Sequence, residues 1–129
     1  LLRAERLIEV YESDHIVACF PCTPGSPEIP VPEGQWKITG NILMPYFRWD
    51  KSILETGVRG EIAYNLPPGP NSPVGIVWMG INRPSVGMHG TNSPDRIGRN
   101  QSHGCIRLAN WDAFAMCQLV KKGTTLEVR

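Results

Sequence analysis

The chain has only three histidines in 129 residues, at positions 15, 89 and 103. Its formal net charge is +1, and no basic block or stripe runs through it. That excludes the electrostatic footprint of a nucleic-acid binder. No apolar run approaches the roughly 20 residues that a membrane-spanning helix needs. There is no internal repeat and no low-complexity tract. The first residue is Leu1 rather than Met, and no signal-like apolar core follows it. The expectation is therefore a single domain, residues 1–129, excised from a longer or processed protein. Turn chemistry, by contrast, is abundant. Thirteen glycines and twelve prolines make up nearly a fifth of the chain, which suits a β-rich protein better than a helical bundle. With 41% apolar residues the chain can bury one core.

Read along its length, the sequence predicts a hairpin from strands at Arg6–Tyr11 and His15–Phe20, with turn residues at 12–14 between them. Prolines at 21, 24, 27, 30 and 32 predict a semi-rigid loop from Pro21 to Gly34. Short strands are predicted at Trp36–Thr39, Glu61–Tyr64, Gly75–Ile81, Val86–His89 and Thr124–Val128. Gly40–Gly60 shows weak periodicity, and Gly90–Gln101 reads as a polar loop. One helix stands out, with Asn110 as N-cap and Ala113, Met116, Cys117 and Val120 at helical spacing. Lys121 and Lys122 follow in its last turn, with Gly123 at C′. Six to eight short strands plus one strong helix define a β-rich domain.

Cys19-Phe20-Pro21-Cys22 has the spacing of a redox pair. That chemistry needs a helix to start at the first cysteine and lower its pKa, and the prolines that follow forbid one. A structural zinc site needs four ligands, and there is one such pair only. His103 and Cys105 could complete a set, but nothing requires it. Two packing thiols or a local disulfide are the simpler readings.

His89, in GMHGTN, and Cys105, in SHGCIRL, form the pair with most chemical content. A thiol nucleophile needs a base or an imidazolium partner, adjacent in space rather than in sequence. Sixteen residues separate the two, enough for a loop and a return. Gly104 permits a sharp turn whose amides can face an oxyanion. Arg107 offers a guanidinium fork to a carboxylate. On the residues alone, Cys105 stays open as a nucleophile, a metal ligand or an inert buried thiol.

His89-Gly90-Thr91 followed by Ser102-His103-Gly104-Cys105-Ile106-Arg107-Leu108 resembles the signature of the YkuD-type L,D-transpeptidase catalytic domain. NLPPGPNSPVGIVWMGI, TPGSPEIPVPEGQWKI and the ending KKGTTLEV resemble further segments of that family, so the likeness runs from about Val17 onward. The resemblance implies a mainly β fold, a sandwich of mixed sheets with one principal helix near the C-terminus. It implies cysteine acyl transfer on peptidoglycan stem peptides, in the periplasm or cell wall, with no metal or cofactor. Cys105 is the implied nucleophile, His89 the base and the Gly90 carbonyl its orienter. Gly104 and Cys105 supply oxyanion amides, Ser102 and His103 shape the site, and Arg107 and Asn92 bind substrate. β-Lactams of the carbapenem type are the implied inhibitors. An L,D-carboxypeptidase with water as acceptor, and a peptidoglycan-binding module without activity, are the rival readings. Cys19 and Cys22 depart from the family pattern, as does an insertion around Ser26–Pro32 that is expected to reshape one wall of the cleft. Trp78 and Met79 are expected to be core.

Overall fold

A computed structural model describes residues 1–56, 58–99 and 104–129. Its elements run β1 (Leu7–Glu12), β2 (His15–Pro21), β3 (Thr23–Pro24), β4 (Gly34–Leu43), β5 (Phe47–Trp49), α1 (Lys51–Thr56), β6 (Tyr64–Leu66), β7 (Val77–Ile81), β8 (Gly87–His89), β9 (Ile106–Arg107), α2 (Asn110–Leu119) and β10 (Thr125–Val128). A six-stranded mixed sheet in the order β10-β4-β7-β8-β9-β3 forms the centre. Two-stranded sheets, β1-β2 and β5-β6, accompany it. The protein is thus mainly β, with mixed sheets and one principal helix near its C-terminus.

Alternation of side chains sets the core. In β10, Leu126 and Val128 point inward while Thr125 and Glu127 face water. In β7, Val77, Met79 and Ile81 are buried, and Met88 and Ile106 continue that face into β8 and β9. Helix α2 packs on β7 and β8 and adds Ala113 and Met116. Each fully buried aliphatic side chain contributes about 1.5–3 kcal/mol relative to exposure. Asn41 of β4 ties down the far end of α2, because its Nδ2 donates to the Cys117 and Val120 carbonyls at 3.0 and 2.8 Å.

Several boundaries depart from the local pattern. β4 runs ten residues rather than the four of Trp36–Thr39, since β10 pairs with its first half and β7 with its second. The strand predicted at Glu61–Tyr64 lies instead at Tyr64–Leu66, where β5 supplies the partner. Within the weakly periodic stretch, buried Asp50 starts α1 by accepting from the Ser52 amide at 3.0 Å, and Arg48 pairs with the same carboxylate. Asn110 is not the N-cap of α2. Ala109 holds that position without a side-chain bond, and Asn110 is the first helical residue. Gly123 is not at C′ either. The helix closes at Leu119 with Val120 extended, and Gly123, at φ +93°, turns the chain into β10. Cys117 is half-buried, and its thiol donates to the Phe114 carbonyl at 3.1 Å.

Candidate active site

Two strands that run in the same direction create the site. β8 and β9 pair in parallel, with Met88 opposite Ile106 and His89 opposite Arg107. A parallel pair needs a connection of a dozen or more residues, and His89 and its partner Arg107 are eighteen positions apart in the sequence. Side chains two apart share a face. Ile106 and Met88 therefore enter the core, both at 0% exposure. His89 and Arg107 share the opposite face, and Cys105, just before β9, feels the Gly87 amide and the Arg107 charge. Thr23 of β3 stands across from Arg107 on that same face.

His89 is 5% exposed. Its Nδ1 lies 2.6 Å from the Gly90 carbonyl oxygen. A carbonyl can only accept, so Nδ1 carries the proton and Nε2 keeps its lone pair. Burial pulls the imidazole pKa down to about 4, with the Arg107 charge adding to the depression and the Gly90 carbonyl opposing it. The ring stacks on Trp78 of β7, centroids 5.5 Å apart and planes 12° from parallel. Trp78 is thus a floor for the histidine, half-buried rather than core, whereas Met79 is fully buried in the core. Gly87 makes room for that indole, since a Cβ there would come within 2.7 Å of its Cζ2.

The thiol of Cys105 donates to the Ser85 carbonyl at 3.5 Å. Burial raises its pKa, while the Gly87 amide and the Arg107 charge work against the rise. At neutral pH the resting pair is therefore thiol and imidazole rather than an ion pair. Gly104 is buried with φ +92°, a conformation that favours glycine. A Cβ there would approach Ile29 Cγ2 to 3.3 Å, so the loop after β3 forms a wall over this turn. Ser102 and His103 lie outside the described residues.

Arg107 also lines a polar pocket of about 200 Å³, together with Thr23, Thr91, Asn92 and Arg96. Among the described residues, Arg107 Nε is buried there without a hydrogen-bond partner. Asn92 is exposed at the rim, and Arg96 comes from the short 3-10 turn Pro94–Arg96. Sequence reasoning missed Arg96, Thr23 and Trp78, because no local pattern marks them.

Among the described residues no three His, Cys, Asp or Glu side chains cluster as a metal site. Cys19 is exposed in β2 and Cys22 is fully buried. Pro21 continues the strand instead of turning it, so the two thiols point to opposite sides and are not bridged.

A buried neutral histidine makes stability depend on pH. The folded pKa lies below the unfolded value of 6.5, so the unfolded chain binds the extra proton first. Stability is then lost as pH falls from about 6.5 to about 4, by about 3 kcal/mol from this group. Denaturant unfolding at pH 7 and pH 4 should show the loss, and His89→Gln should flatten it. An equally steep fall in the variant would remove His89 as its source.

The profile of the YkuD family, the L,D-transpeptidase catalytic domain, matches residues 2–128. The chain is 29% identical over 124 residues to the YkuD protein of Bacillus licheniformis, covering 95% of this chain and 59% of that one. An L,D-transpeptidase from Mycobacterium smegmatis superposes with a TM-score of 0.76 at 20% identity, over 99% of this chain and 56% of its own. L,D-transpeptidase 3 from Mycobacterium tuberculosis, solved with a faropenem-derived adduct, gives 0.75 at 20% identity, over 99% and 57%. At such identity the structural likeness speaks for the fold. The chain spans somewhat over half the length of these relatives. The near-complete profile match, carried on a fold shared with solved L,D-transpeptidases, decides the assignment: the chain belongs to the YkuD family of L,D-transpeptidase catalytic domains.

Proposed function

We propose that this domain transfers acyl groups on peptidoglycan stem peptides through a thioester on Cys105. The observation that carries the reading is Arg107, which pairs with His89 across β8 and β9 and whose charge bears on both His89 and Cys105. Cys105 Sγ attacks the carbonyl that joins the L-centre of a diamino acid to a terminal D-alanine. His89 Nε2 takes the thiol proton as the S–C bond forms. The amides of Gly104 and Cys105 receive the oxyanion. When the C–N bond breaks, His89 returns the proton to the leaving amine and D-alanine departs. An acceptor amine then attacks the thioester, its proton passes to His89, and the thiol is restored.

The resting neutral pair fits this sequence, since a base with a pKa of about 4 is unprotonated through the physiological range. Arg107 and Asn92, in the polar pocket, bind a substrate carboxylate in this reading, and the unpartnered Arg107 Nε supports it. A β-lactam of the carbapenem type, whose strained ring presents a similar carbonyl, acylates the same thiol. The domain works outside the cytoplasmic membrane, in periplasm or wall. Among the described residues, no helix is long and apolar enough to cross a membrane.

Incubation with a disaccharide-tetrapeptide, followed by mass spectrometry, tests this. Released D-alanine together with a cross-linked dimer is the expected result. D-alanine with tripeptide alone would make the enzyme an L,D-carboxypeptidase. Binding without turnover, with the thiol kept reduced, would make it a peptidoglycan-binding module.

A further inference from the structure

A side chain from α2 grips the backbone just past the histidine. Asn110 Oδ1 accepts from the Thr91 amide at 3.0 Å, and its Nδ2 donates to the Thr91 carbonyl at 2.8 Å. The carboxamide fits a slot with glycine on both sides. A Cβ built on Gly75 would sit 1.9 Å from Asn110 Oδ1, and one on Gly90 would sit 2.0 Å from it. The slot therefore excludes any side chain at either position while Asn110 is in place.

The Thr91 N–H and the Gly90 C=O belong to one peptide unit. That unit is planar and trans, so its N–H and C=O point in opposite directions. Fixing the N–H on Asn110 fixes where the carbonyl points. It points at His89 Nδ1, 2.6 Å away.

We propose that Asn110 is the positioning residue for His89, and that it sets the imidazole tautomer through the rigid 90–91 peptide. Asn110 touches neither the ring nor any reacting atom. It aims the carbonyl that holds the proton on Nδ1, which leaves the Nε2 lone pair available as the base. Without the clamp the peptide can rotate, and the Nε2–H tautomer, which cannot accept a proton at that atom, becomes populated. Asn41 supplies the comparison. It also uses its carboxamide on α2, at the opposite end of the helix, where it caps the Cys117 and Val120 carbonyls. Loss of Asn41 removes a comparable anchor without touching the 90–91 peptide.

Imidazole ¹⁵N shifts at neutral pH report the tautomer directly and need no substrate. His89 signals are identified by their loss in His89→Gln. The wild type should show a protonated Nδ1 and an unprotonated Nε2. Asn110→Ala should show a mixture, and Asn110→Asp, which keeps the acceptor for the Thr91 amide, should restore the wild-type pattern. Asn41→Ala should keep that pattern at a similar loss of melting temperature. Asn110→Ser is read in the same way should the alanine variant not fold. A wild-type tautomer in folded Asn110→Ala or Asn110→Ser, or the same mixture in Asn41→Ala, would overturn the proposal. The kinetic consequence rests on the acyl-transfer role proposed above. Acylation should fall about 10- to 100-fold in Asn110→Ala with KM little changed. If the wild type shows no turnover, that role fails while the tautomer result still stands or falls by itself.

Discussion

Cys105→Ala should abolish D-alanine release, by a factor of at least about 10³, and should leave no covalent adduct after exposure to a carbapenem. The other three cysteines offer no substitute with comparable surroundings. Cys22 is fully buried, and burial pushes its thiol up to about 12. Cys117 donates to the Phe114 carbonyl on the helix, and burial raises its pKa. Cys19 is exposed on β2, in the hairpin formed with β1. Of the four cysteines only Cys105 adjoins β9, the strand paired with that of His89, and lies beside the buried turn at Gly104. Removing one sulfur from a half-buried position should change stability by no more than about 1 kcal/mol. Loss of activity with an unchanged unfolding midpoint therefore identifies the nucleophile. Cys105→Ser should fail as well, because a hydroxyl holds its proton far more tightly than a thiol and the base is weak. Turnover or adduct formation that survives in Cys105→Ala would refute the assignment and turn attention to Cys19.

Gly75→Ala should cost about 3–5 kcal/mol, far more than a typical surface glycine. Two effects add. Gly75 has φ +63°, in the left-handed region where an added Cβ is strained. The Cβ would also lie 1.9 Å from Asn110 Oδ1, 2.7 Å from the Thr91 nitrogen and 2.9 Å from the Gly90 carbonyl carbon. The last two are backbone atoms of the segment just past His89, and they cannot swing aside as a long side chain could. Asn110 would have to leave its slot and give up both bonds to Thr91. Gly123→Ala isolates the conformational part, since Gly123 has φ +93° with nothing within 4 Å of its Cβ position. It should cost about 1 kcal/mol. Denaturant unfolding of both variants checks the difference, and equal losses would show that the slot is not tight. In an Asn110→Ala background the cost of Gly75→Ala should shrink, because the nearest clash is gone.

The sequence by itself determined the kind of fold and carried the family signature. The hairpin was legible because both strands carry β-type residues around turn chemistry at 12–14. Helix α2 was legible in its body, where Ala113 and Met116 recur at helical spacing and are buried. The segments around His89 and Cys105 were legible as motifs, because histidine, cysteine and a turn glycine are marked by residue type. These signals are local, and local propensity and periodicity reach only a few residues along the chain.

What tertiary structure alone decided is how those residues meet. Parallel pairing of β8 with β9 sets His89 opposite Arg107 and leaves Cys105 at the start of β9, and a shift of one residue would turn His89 and Arg107 to opposite faces. Asn110 has the composition of a helix cap, yet its carboxamide finds better-placed partners on Thr91, nineteen residues earlier, and Ala109 takes the cap position. Trp78 reads as core from its apolar neighbours, but antiparallel pairing with β8 slides it under the His89 ring. Ile29 reads as one apolar residue in a proline-rich loop, and the fold brings it over Gly104. In each case the deciding contact joins residues far apart in sequence. Its strength comes from desolvation and geometry that exist only once the sheet has formed, so no local pattern could announce it.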